Sequence, residues 1–355
     1  MHITDEAPAP DEGAVAAPAR RPRTAVAMDA SLVEEVFPPQ VRARMEQTAE
    51  VWPAGVLEDF DSPDAVDALR TAEVLVTGWG CPPLDAAVLG RAPRLRAVLH
   101  AAGTVKTFLS PGVFERGIAV SSAAEANAVP VAEFTLAAIV LGAKRALPLA
   151  RLYGRRRTQR TAADLARPAW MGAHGLTVGL VGASRTGRRV AELLRTLDVE
   201  VLFYDPYTAE ADIQALGARQ VDLDTLVATS DVVSVHAPAT AETRHLIDAH
   251  RLELMRPGTL VVNTARGSLV DTEALTAHLV SGRLDAVLDV TDPEPLPPDH
   301  PLWDLPNVWL TPHLAGALGN ESARLGALVV DELERFAAGE PLRHPVLWPD
   351  WDRTA

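Results

Sequence analysis

Val178-Gly179-Leu180-Val181-Gly182-Ala183-Ser184-Arg185-Thr186-Gly187 is the stretch that decides the fold. It opens with an apolar run typical of a buried strand and then runs through a turn into a helix-like sequence. The stretch nearly matches Gly-x-Gly-x-x-Gly, in which Gly182 makes the tight turn and Gly187 lets helix and strand pack closely. Ser184 stands at the middle glycine position, where its Cβ crowds a phosphate but its hydroxyl can donate to one. Alone, the stretch fits an ordinary strand-to-helix turn equally well.

Asp205 strengthens the interpretation of this stretch as a dinucleotide site. It ends the next apolar run, 23 residues after Gly182, which is close to the spacing of an acid that binds the ribose hydroxyls. The helix that starts near Arg185 offers free N–H groups and a positive dipole end to phosphates. Pro206, Tyr207 and Thr208 follow without an Arg or Lys for a 2′-phosphate, so NAD is favoured over NADP. A simple strand-end turn is the plainer explanation of Asp205 taken alone.

Short apolar runs alternate with helix-like segments along the whole chain, which indicates parallel βαβ units. Four candidate strands occupy 24–28, 74–77, 95–99 and 118–120, and six more occupy 177–181, 199–204, 232–235, 260–263, 286–290 and 308–310. We predict an α/β protein with two doubly wound parallel sheets. A helix over 128–147 and an Arg- and Pro-rich connector to about residue 175 separate the two series. A last helix over 323–338 lies beyond the second sheet.

These patterns predict a domain division. Residues 1–22 are rich in Ala, Pro and acidic residues and are expected to form a disordered tail. A substrate domain is expected from 23–125 plus 319–350, which makes it discontinuous, and a dinucleotide-binding domain from 126–318.

Composition excludes several classes of partner. The net charge of -14 over 355 residues argues against nucleic acid and anionic membranes, since both need a basic surface. The longest apolar stretch, 134–143, is interrupted and shorter than a membrane span requires. Cys81 is the only cysteine and cannot form an internal disulfide, so a cytoplasmic location is expected. No metal site is expected.

Three short islands follow successive candidate strands near the end of the second series. They are Thr264-Ala265-Arg266-Gly267, the segment 289–295, and Thr311-Pro312-His313-Leu314-Ala315-Gly316. Ligands of open parallel sheets bind beyond the carboxyl ends of the strands, so the islands are expected to meet there. Arg266 is suited to hold a carboxylate, His313 to exchange a proton, and Glu294 to pair with that histidine. Each alone is equally consistent with an ordinary surface residue; their joint order is what favours catalysis.

With these motifs the chain resembles the D-isomer-specific 2-hydroxyacid dehydrogenase family over roughly residues 70–345. The stretches that carry the resemblance are 262–267, 288–290 with Glu294-Pro295, His300-Pro301-Leu302-Trp303, and Thr311-Pro312-His313. The resemblance implies two Rossmann-like domains with the active site in the cleft between them. It also implies NAD-dependent interconversion of a small 2-hydroxy acid and its 2-oxo acid, and a homodimer formed through the cofactor domains.

The resemblance assigns roles to individual residues. Arg266, Glu294 and His313 match the catalytic residues, and Ala102 and Gly103 match the loop that holds the substrate carboxylate together with Arg266. The positions that match the cofactor lining are Gly182, Ser184, Arg185, Thr186, Asp205, His236, Ala237, Pro238, Thr243, Thr264 and Asp289.

The chain also departs from the family pattern. Ser184 replaces the usual middle glycine, and the segment 100–106 differs from the usual Gly-Val-Gly-Val-Asp form, which predicts an unusual substrate pocket. The chain ends at Ala355, so we expect no regulatory C-terminal domain of the kind found in many phosphoglycerate dehydrogenases. Two alternatives stay open: an NAD-binding sensor or corepressor-like scaffold, and a phosphite-type dehydrogenase.

Overall fold

The protein contains two all-parallel sheets. The structure is a computed structural model that describes residues 21–165 and 171–353. The first sheet consists of β1 (Arg23–Ala27), β2 (Glu50–Val51), β3 (Val74–Thr77), β4 (Ala97–His100) and β5 (Ala119–Ser122), in the order β2-β1-β3-β4-β5. The second consists of β6 (Leu176–Val181), β7 (Val199–Tyr204), β8 (Arg219–Gln220), β9 (Val232–Val235), β10 (Leu260–Asn263), β11 (Asp285–Leu288) and β12 (Val308–Leu310), in the order β12-β11-β10-β9-β6-β7-β8.

Helices connect the strands and cover both faces of the sheets. They are α1 (Val33–Val36), α2 (Pro39–Thr48), α3 (Pro63–Thr71), α4 (Ala86–Arg91), α5 (Gly112–Glu115), α6 (Ala124–Ala143), α7 (Ala146–Arg156), α8 (Arg185–Leu194), α9 (Glu210–Ala215), α10 (Leu223–Thr229), α11 (Ala249–Leu254), α12 (Thr272–Val280) and α13 (Ser322–Ala338).

The strands are continuous apolar runs because both faces of each sheet are buried. In the first sheet Leu75 and Val98 contribute to one apolar layer, whereas Val76 and Leu99 belong to the layer on the opposite face. The second sheet is built in the same way, with one apolar cluster on each face. The predicted fold of two doubly wound parallel sheets is confirmed, and the order of the second sheet is that of a dinucleotide-binding fold extended by a seventh strand.

The prediction of six strands in the second sheet was wrong, because the sheet has seven. The missed strand β8 is two residues long and polar, and it pairs with β7 at the outer edge through Leu202 and Arg219. Since an edge strand is buried on neither side as fully as a central one, it carries no apolar run that a sequence pattern can detect.

Helix α6 links the two sheets and has the 20-residue length of the predicted helix over 128–147, but it begins and ends four residues earlier. Arg145 lies in the left-handed region with φ of 50°, which separates α6 from α7 and places part of the predicted connector in a helix. By length and composition alone, α6 meets the criteria for a membrane-crossing helix, as the core helices of globular proteins also can. In the fold it packs against α8, β10 and α13, with Ala132, Ala138 and Ile139 buried, as a core helix does.

Helix α13 returns to the first sheet after the last strand of the second. It packs against α1, α2, β4 and β5. The domain limits 23–125 plus 319–350 and 126–318 stay our proposal. Residues 1–20 of the expected tail lie outside the described residues, whereas Arg21 donates a hydrogen bond to the carbonyl of Ala49 and thus belongs to the folded part.

The last segment of the described chain is held by one buried carboxylate. Glu332 on α13 is 1% exposed and accepts hydrogen bonds from the backbone N–H groups of Arg343 (2.9 Å) and His344 (2.8 Å). We expect Glu332→Ala to lower the free energy of unfolding by about 1–3 kcal/mol, because the backbone donors of Arg343 and His344 lose their buried acceptor. Urea denaturation followed by tryptophan fluorescence measures this change.

The matched control for that measurement is Glu334→Ala on the same helix. Glu334 forms a half-exposed ion pair with Arg44 at 2.9 Å, and such pairs are worth less than about 1 kcal/mol. Equal, small losses for the two variants would contradict the role assigned to Glu332.

Candidate active site

Gly182 ends the first strand of the second sheet and brings two backbones into direct contact. Its φ of 102° lies in the left-handed region, and an added Cβ would lie 2.5 Å from the backbone N of Ala237. Gly187, one turn into α8, packs its Cα against the carbonyl oxygen of Gly182 in the same way. Only glycine fits either position, so the loop and the helix N-terminus form a shallow backbone cradle.

Ser184 caps helix α8. Its Oγ accepts the N–H of Gly187 at 3.3 Å, and its φ of -64° is ordinary for any L residue, so the middle position of this loop does not require glycine. The N–H groups of Arg185 and Thr186 are in the first turn and have no intrahelical acceptor. They are the donors that the cradle offers to an anion.

The carboxylate of Asp205 clamps the loop that follows β6. Its Oδ2 accepts the N–H of Ala183 at 2.7 Å, and its Oδ1 accepts the N–H of Tyr207 at 2.9 Å. Arg185, also predicted at this site, directs its side chain to Glu125 on α6, with Nε 3.5 Å from Oε2. Asp205 thus remains at the mouth of the cradle while Arg185 points toward the first sheet.

A cleft of about 660 Å³ adjoins the cradle. Five of the predicted cofactor positions line it: Gly182, Asp205, Ala237, Pro238 and Thr243. The Thr243 hydroxyl donates to the carbonyl of Pro238 at 2.6 Å and accepts the N–H of Thr240 at 2.8 Å, so it shapes the cleft wall.

His236 follows β9 beside the cradle and is 3% exposed. Its Nε2 lies 2.9 Å from the hydroxyl of Ser234, and its Nδ1 has no hydrogen-bond partner among the described residues. Burial lowers the pKa of His236 to about 3, which keeps the ring neutral at physiological pH. The glycine cradle, the free amides, Asp205 and this orphaned ring nitrogen fit a dinucleotide.

Thr264 and Arg266 follow β10. The Thr264 hydroxyl lies 2.8 Å from that of Thr135 on α6 and donates to it, because Thr135 already donates to the carbonyl of Val131. The side chain of Asn263 accepts the N–H of Ala265 (3.0 Å) and donates to the carbonyl of Arg266 (2.9 Å). The backbone that carries Arg266 is therefore fixed on both sides.

The guanidinium of Arg266 is half-buried next to Glu294. Burial lowers the pKa of Arg266, and the negative charge of Glu294 opposes that effect. An arginine remains protonated at neutral pH even so. The site therefore holds a cation whose hydration is reduced and whose attraction for a carboxylate is correspondingly stronger.

Gly267 sets the distance between the loop that carries Arg266 and the segment 289–295. An added Cβ there would overlap the carbonyl group of Thr291 and lie 2.6 Å from the N of Asp292. Because the backbones touch, Arg266 and Glu294 approach each other across this contact.

His313 lies in a loop organised by Asp289. The Asp289 carboxylate is 2% exposed and accepts hydrogen bonds from the Thr311 hydroxyl (2.5 Å), Leu314 N (2.8 Å) and Ala315 N (2.9 Å). His313 adopts a φ of 53°, an unusual value for a residue with a Cβ that is typical of functional sites. Its Nδ1 lies 2.7 Å from Glu294 Oε1, and its Nε2 has no partner among the described residues.

The loop after β4 faces this group from the first sheet. Ala102 is buried and Gly103 half-buried, and the carbonyl of Ala102 accepts the N–H of Ala123 at 3.0 Å. Asn127 on α6 lies between Gly103 and Gly316, and its Oδ1 accepts the N–H of Ala317 at 2.9 Å. No sequence motif singled out Asn127 or Thr135, because their role depends on contacts between distant segments.

Comparisons with known proteins agree with this geometry. Residues 139–315 match the family model described as D-isomer specific 2-hydroxyacid dehydrogenase, NAD binding domain. The chain is 34% identical to glyoxylate/hydroxypyruvate reductase B of Pectobacterium carotovorum, over 84% of this chain and 92% of that protein. The chain belongs to the D-isomer-specific 2-hydroxyacid dehydrogenase family. Residues 139–315 are its NAD-binding domain.

Other relatives place the chain within this family. It is 35% identical to D-3-phosphoglycerate dehydrogenase of Archaeoglobus fulgidus, over 75% of this chain and 50% of that protein. The chain thus spans about half the length of the phosphoglycerate dehydrogenases that it matches. The crystal structure of apo D-mandelate dehydrogenase of Rhodotorula graminis superposes with a TM-score of 0.76 at 27% identity, covering 92% of this chain and 98% of that one.

Gly267→Ala tests the contact that joins the Arg266 and Glu294 loops. The added methyl must displace the backbone at Thr291, so we expect a loss of stability of about 1–3 kcal/mol and a fall in turnover. Thermal unfolding and NADH-linked rates measure the two effects. Gly90→Ala is the control, because a Cβ there meets open space on α4 and is expected to be harmless. A Gly267→Ala protein as stable and as active as the control would refute the assigned contact.

Proposed function

We propose that this protein is an NAD-dependent dehydrogenase that interconverts a small D-2-hydroxy acid and its 2-oxo acid. The observation that carries the proposal is the His313–Glu294 pair at 2.7 Å, beside the half-buried guanidinium of Arg266. These groups follow successive strands of a sheet whose first loop forms a dinucleotide cradle. When bound, NAD(H) supplies or accepts the hydride.

His313 is the proposed acid–base group. Its Nδ1 is engaged by Glu294, which fixes the ring orientation and leaves Nε2 to exchange a proton with the oxygen on the substrate carbon. Reduction of a 2-oxo acid needs that proton, and oxidation of the hydroxy acid needs the neutral ring.

Arg266 is the proposed anchor for the substrate carboxylate. Its planar fork can bind two carboxylate oxygens and also polarise the neighbouring carbonyl. Ala102 and Gly103 approach from the loop after β4 and are proposed to hold the other side of the carboxylate through backbone N–H groups. The substrate is thereby oriented with its reacting carbon toward the cofactor cleft.

The cofactor is proposed to lie along the cradle and the cleft. The N–H groups of the first turn of α8 face the pyrophosphate, and Asp205 faces the adenosine ribose. Thr264 and Asp289 use their polar atoms within the protein, so they are proposed to line the nicotinamide end by position and not by side-chain hydrogen bonds.

A glyoxylate or hydroxypyruvate type of substrate is the finer part of the proposal. It is supported by the relatives named glyoxylate reductase, one of which is that of Korarchaeum cryptofilum, 35% identical over 73% of this chain and 78% of that protein. Small substrates also suit a site whose carboxylate-binding groups lie close to the acid–base pair.

A homodimer formed through the nucleotide-binding domain is proposed as the assembly. Helix α7 has no buried residue, although it carries Leu149, Leu152 and the 60% exposed Tyr153. Leu141 on α6 and Met171 are exposed as well. An apolar surface of this kind is typical of a protein interface. A cytoplasmic location is proposed because Cys81 is the single cysteine of the chain.

A preference for NADH over NADPH follows from the Asp205 carboxylate, which repels a 2′-phosphate. We expect kcat/KM to favour NADH by at least about tenfold, which corresponds to ~1.4 kcal/mol. Asp205→Asn removes the charge but keeps an acceptor for the loop N–H groups, so it should narrow this ratio. Asp212→Ala, an exposed carboxylate on α9, should leave it unchanged. Equal efficiency of wild type with both cofactors would rule out the assigned role.

His313→Ala should reduce turnover by about a hundred- to ten-thousandfold, because a positioned acid–base group is lost. Calorimetric NADH affinity should stay within about threefold of wild type, since the ring faces the substrate. The test is a screen of NADH oxidation with glyoxylate, hydroxypyruvate, pyruvate and bulkier 2-oxo acids. His250→Ala on the exposed face of α11 is the control and should be fully active. Tight NADH binding without turnover of any acid by wild type would favour a sensor function instead.

A further inference from the structure

Lys106 is a residue of the first-sheet side that lines the cofactor cleft. It follows Gly103 by three residues in the loop after β4, and it shares the cleft wall with Gly182 and Asp205 of the second sheet. The site described above does not use it. Its position therefore brings a positive charge from the substrate side to the mouth of the phosphate cradle.

The wall of this cleft carries charges of both signs. Among the residues that line it, Asp205 and Glu242 are acidic and Lys106 is the only cation. Within the described residues Lys106 forms no ion pair, and its Nζ lies over the ring of Trp351, 6.0 Å from the ring centroid. Its ammonium group is therefore available to an anion that enters the cleft.

The other cations near the cradle are already engaged. Arg185 and Arg189 both pair with Glu125, at 3.5 and 3.0 Å. Arg188 donates from Nε to the carbonyl of Ala183 at 2.9 Å. A dinucleotide brings two negative charges on its pyrophosphate to this place, so a cation from outside the helix would add to the attraction of the first-turn N–H groups.

Lysine is rare in this chain, and Lys106 is one of the few. Of 33 basic residues only two are lysines, Lys106 and Lys144, and all others are arginines. An ammonium group on a flexible stem can turn toward a phosphate as the cleft fills, whereas a planar guanidinium is more restricted in its geometry.

We propose that Lys106 reaches across the cleft and binds the pyrophosphate of NAD(H), which rests on the proposed NAD-dependent function. Asp205 faces the adenosine ribose and would repel a 2′-phosphate. The phosphate group that Lys106 contacts is therefore the pyrophosphate. Because Ala102 and Gly103 lie in the same loop, cofactor binding then fixes the loop that holds the substrate carboxylate. Lys106 is thus a positioning residue that links the cofactor to the substrate loop.

Calorimetry of NADH binding tests the proposal without any turnover. Lys106→Gln should weaken NADH binding about tenfold, because a charge-assisted contact is lost, and should reduce the dependence of affinity on salt. Lys106→Arg should recover most of the affinity. Lys144→Gln is the matched control, since Lys144 is exposed at the end of α6 and should not affect binding.

The scarcity of lysines permits a direct second measurement. Acetylation followed by mass spectrometry reports the two lysine side chains separately. NADH and ADP-ribose, which both contain the pyrophosphate, should protect Lys106, whereas adenosine should not. Lys144 should react at one rate throughout.

The possible outcomes distinguish a failure of the Lys106 proposal from a failure of the proposed function. Wild-type protein that binds NADH, with Lys106→Gln within twofold of it and no protection of Lys106, would overturn the Lys106 assignment alone. Weakening of NADPH binding only would assign Lys106 to a 2′-phosphate and contradict the pyrophosphate contact. Wild-type protein that binds no dinucleotide would overturn both the proposed function and the role of Lys106.

Discussion

The buried carboxylate of Asp289 is the constraint on which the candidate site depends. A carboxylate removed from water is costly unless donors surround it, and here Thr311, Leu314 and Ala315 provide them. Those donors all belong to the segment after β12. The segment must therefore adopt the one conformation in which all three hydrogen bonds to the Asp289 carboxylate form. This conformation holds His313 at a positive φ, where its Nδ1 meets Glu294. The position of the imidazole proposed for acid–base catalysis is therefore decided by a residue that does not touch its ring.

Two glycines and one helix complete the arrangement by direct backbone contact. Gly182 brings the phosphate loop against Ala237, and Gly267 brings the Arg266 loop against Thr291. Helix α6 then joins the two sheets, through Thr135 to Thr264 and through Asn127 to Ala317. The parallel topology gathers the strand ends at one edge, and these contacts convert that edge into a defined site.

The sequence predicted the central strands and the pairing of Glu294 with His313 for clear physical reasons. Buried parallel strands are continuous apolar runs, and the predicted pair of Glu294 and His313 lies at 2.7 Å. β8 was missed because it is short, polar and at an edge, and the helix break at Arg145 has no sequence signal of its own. Polar atoms of Thr264, Asp289 and Ser184 proved to be engaged within the protein, since only the tertiary structure shows which partner a hydroxyl or carboxylate has.

The configuration of the product tests the central claim most directly. With the prochiral 2-oxo acid that supports the fastest NADH oxidation, chiral chromatography should find the D-2-hydroxy acid, formed in equal amount to the NADH consumed. An L-2-hydroxy acid as the main product would contradict the account. NADH consumed without any hydroxy acid formed would contradict it as well, because Arg266 and His313 would then not act on a bound 2-oxo acid.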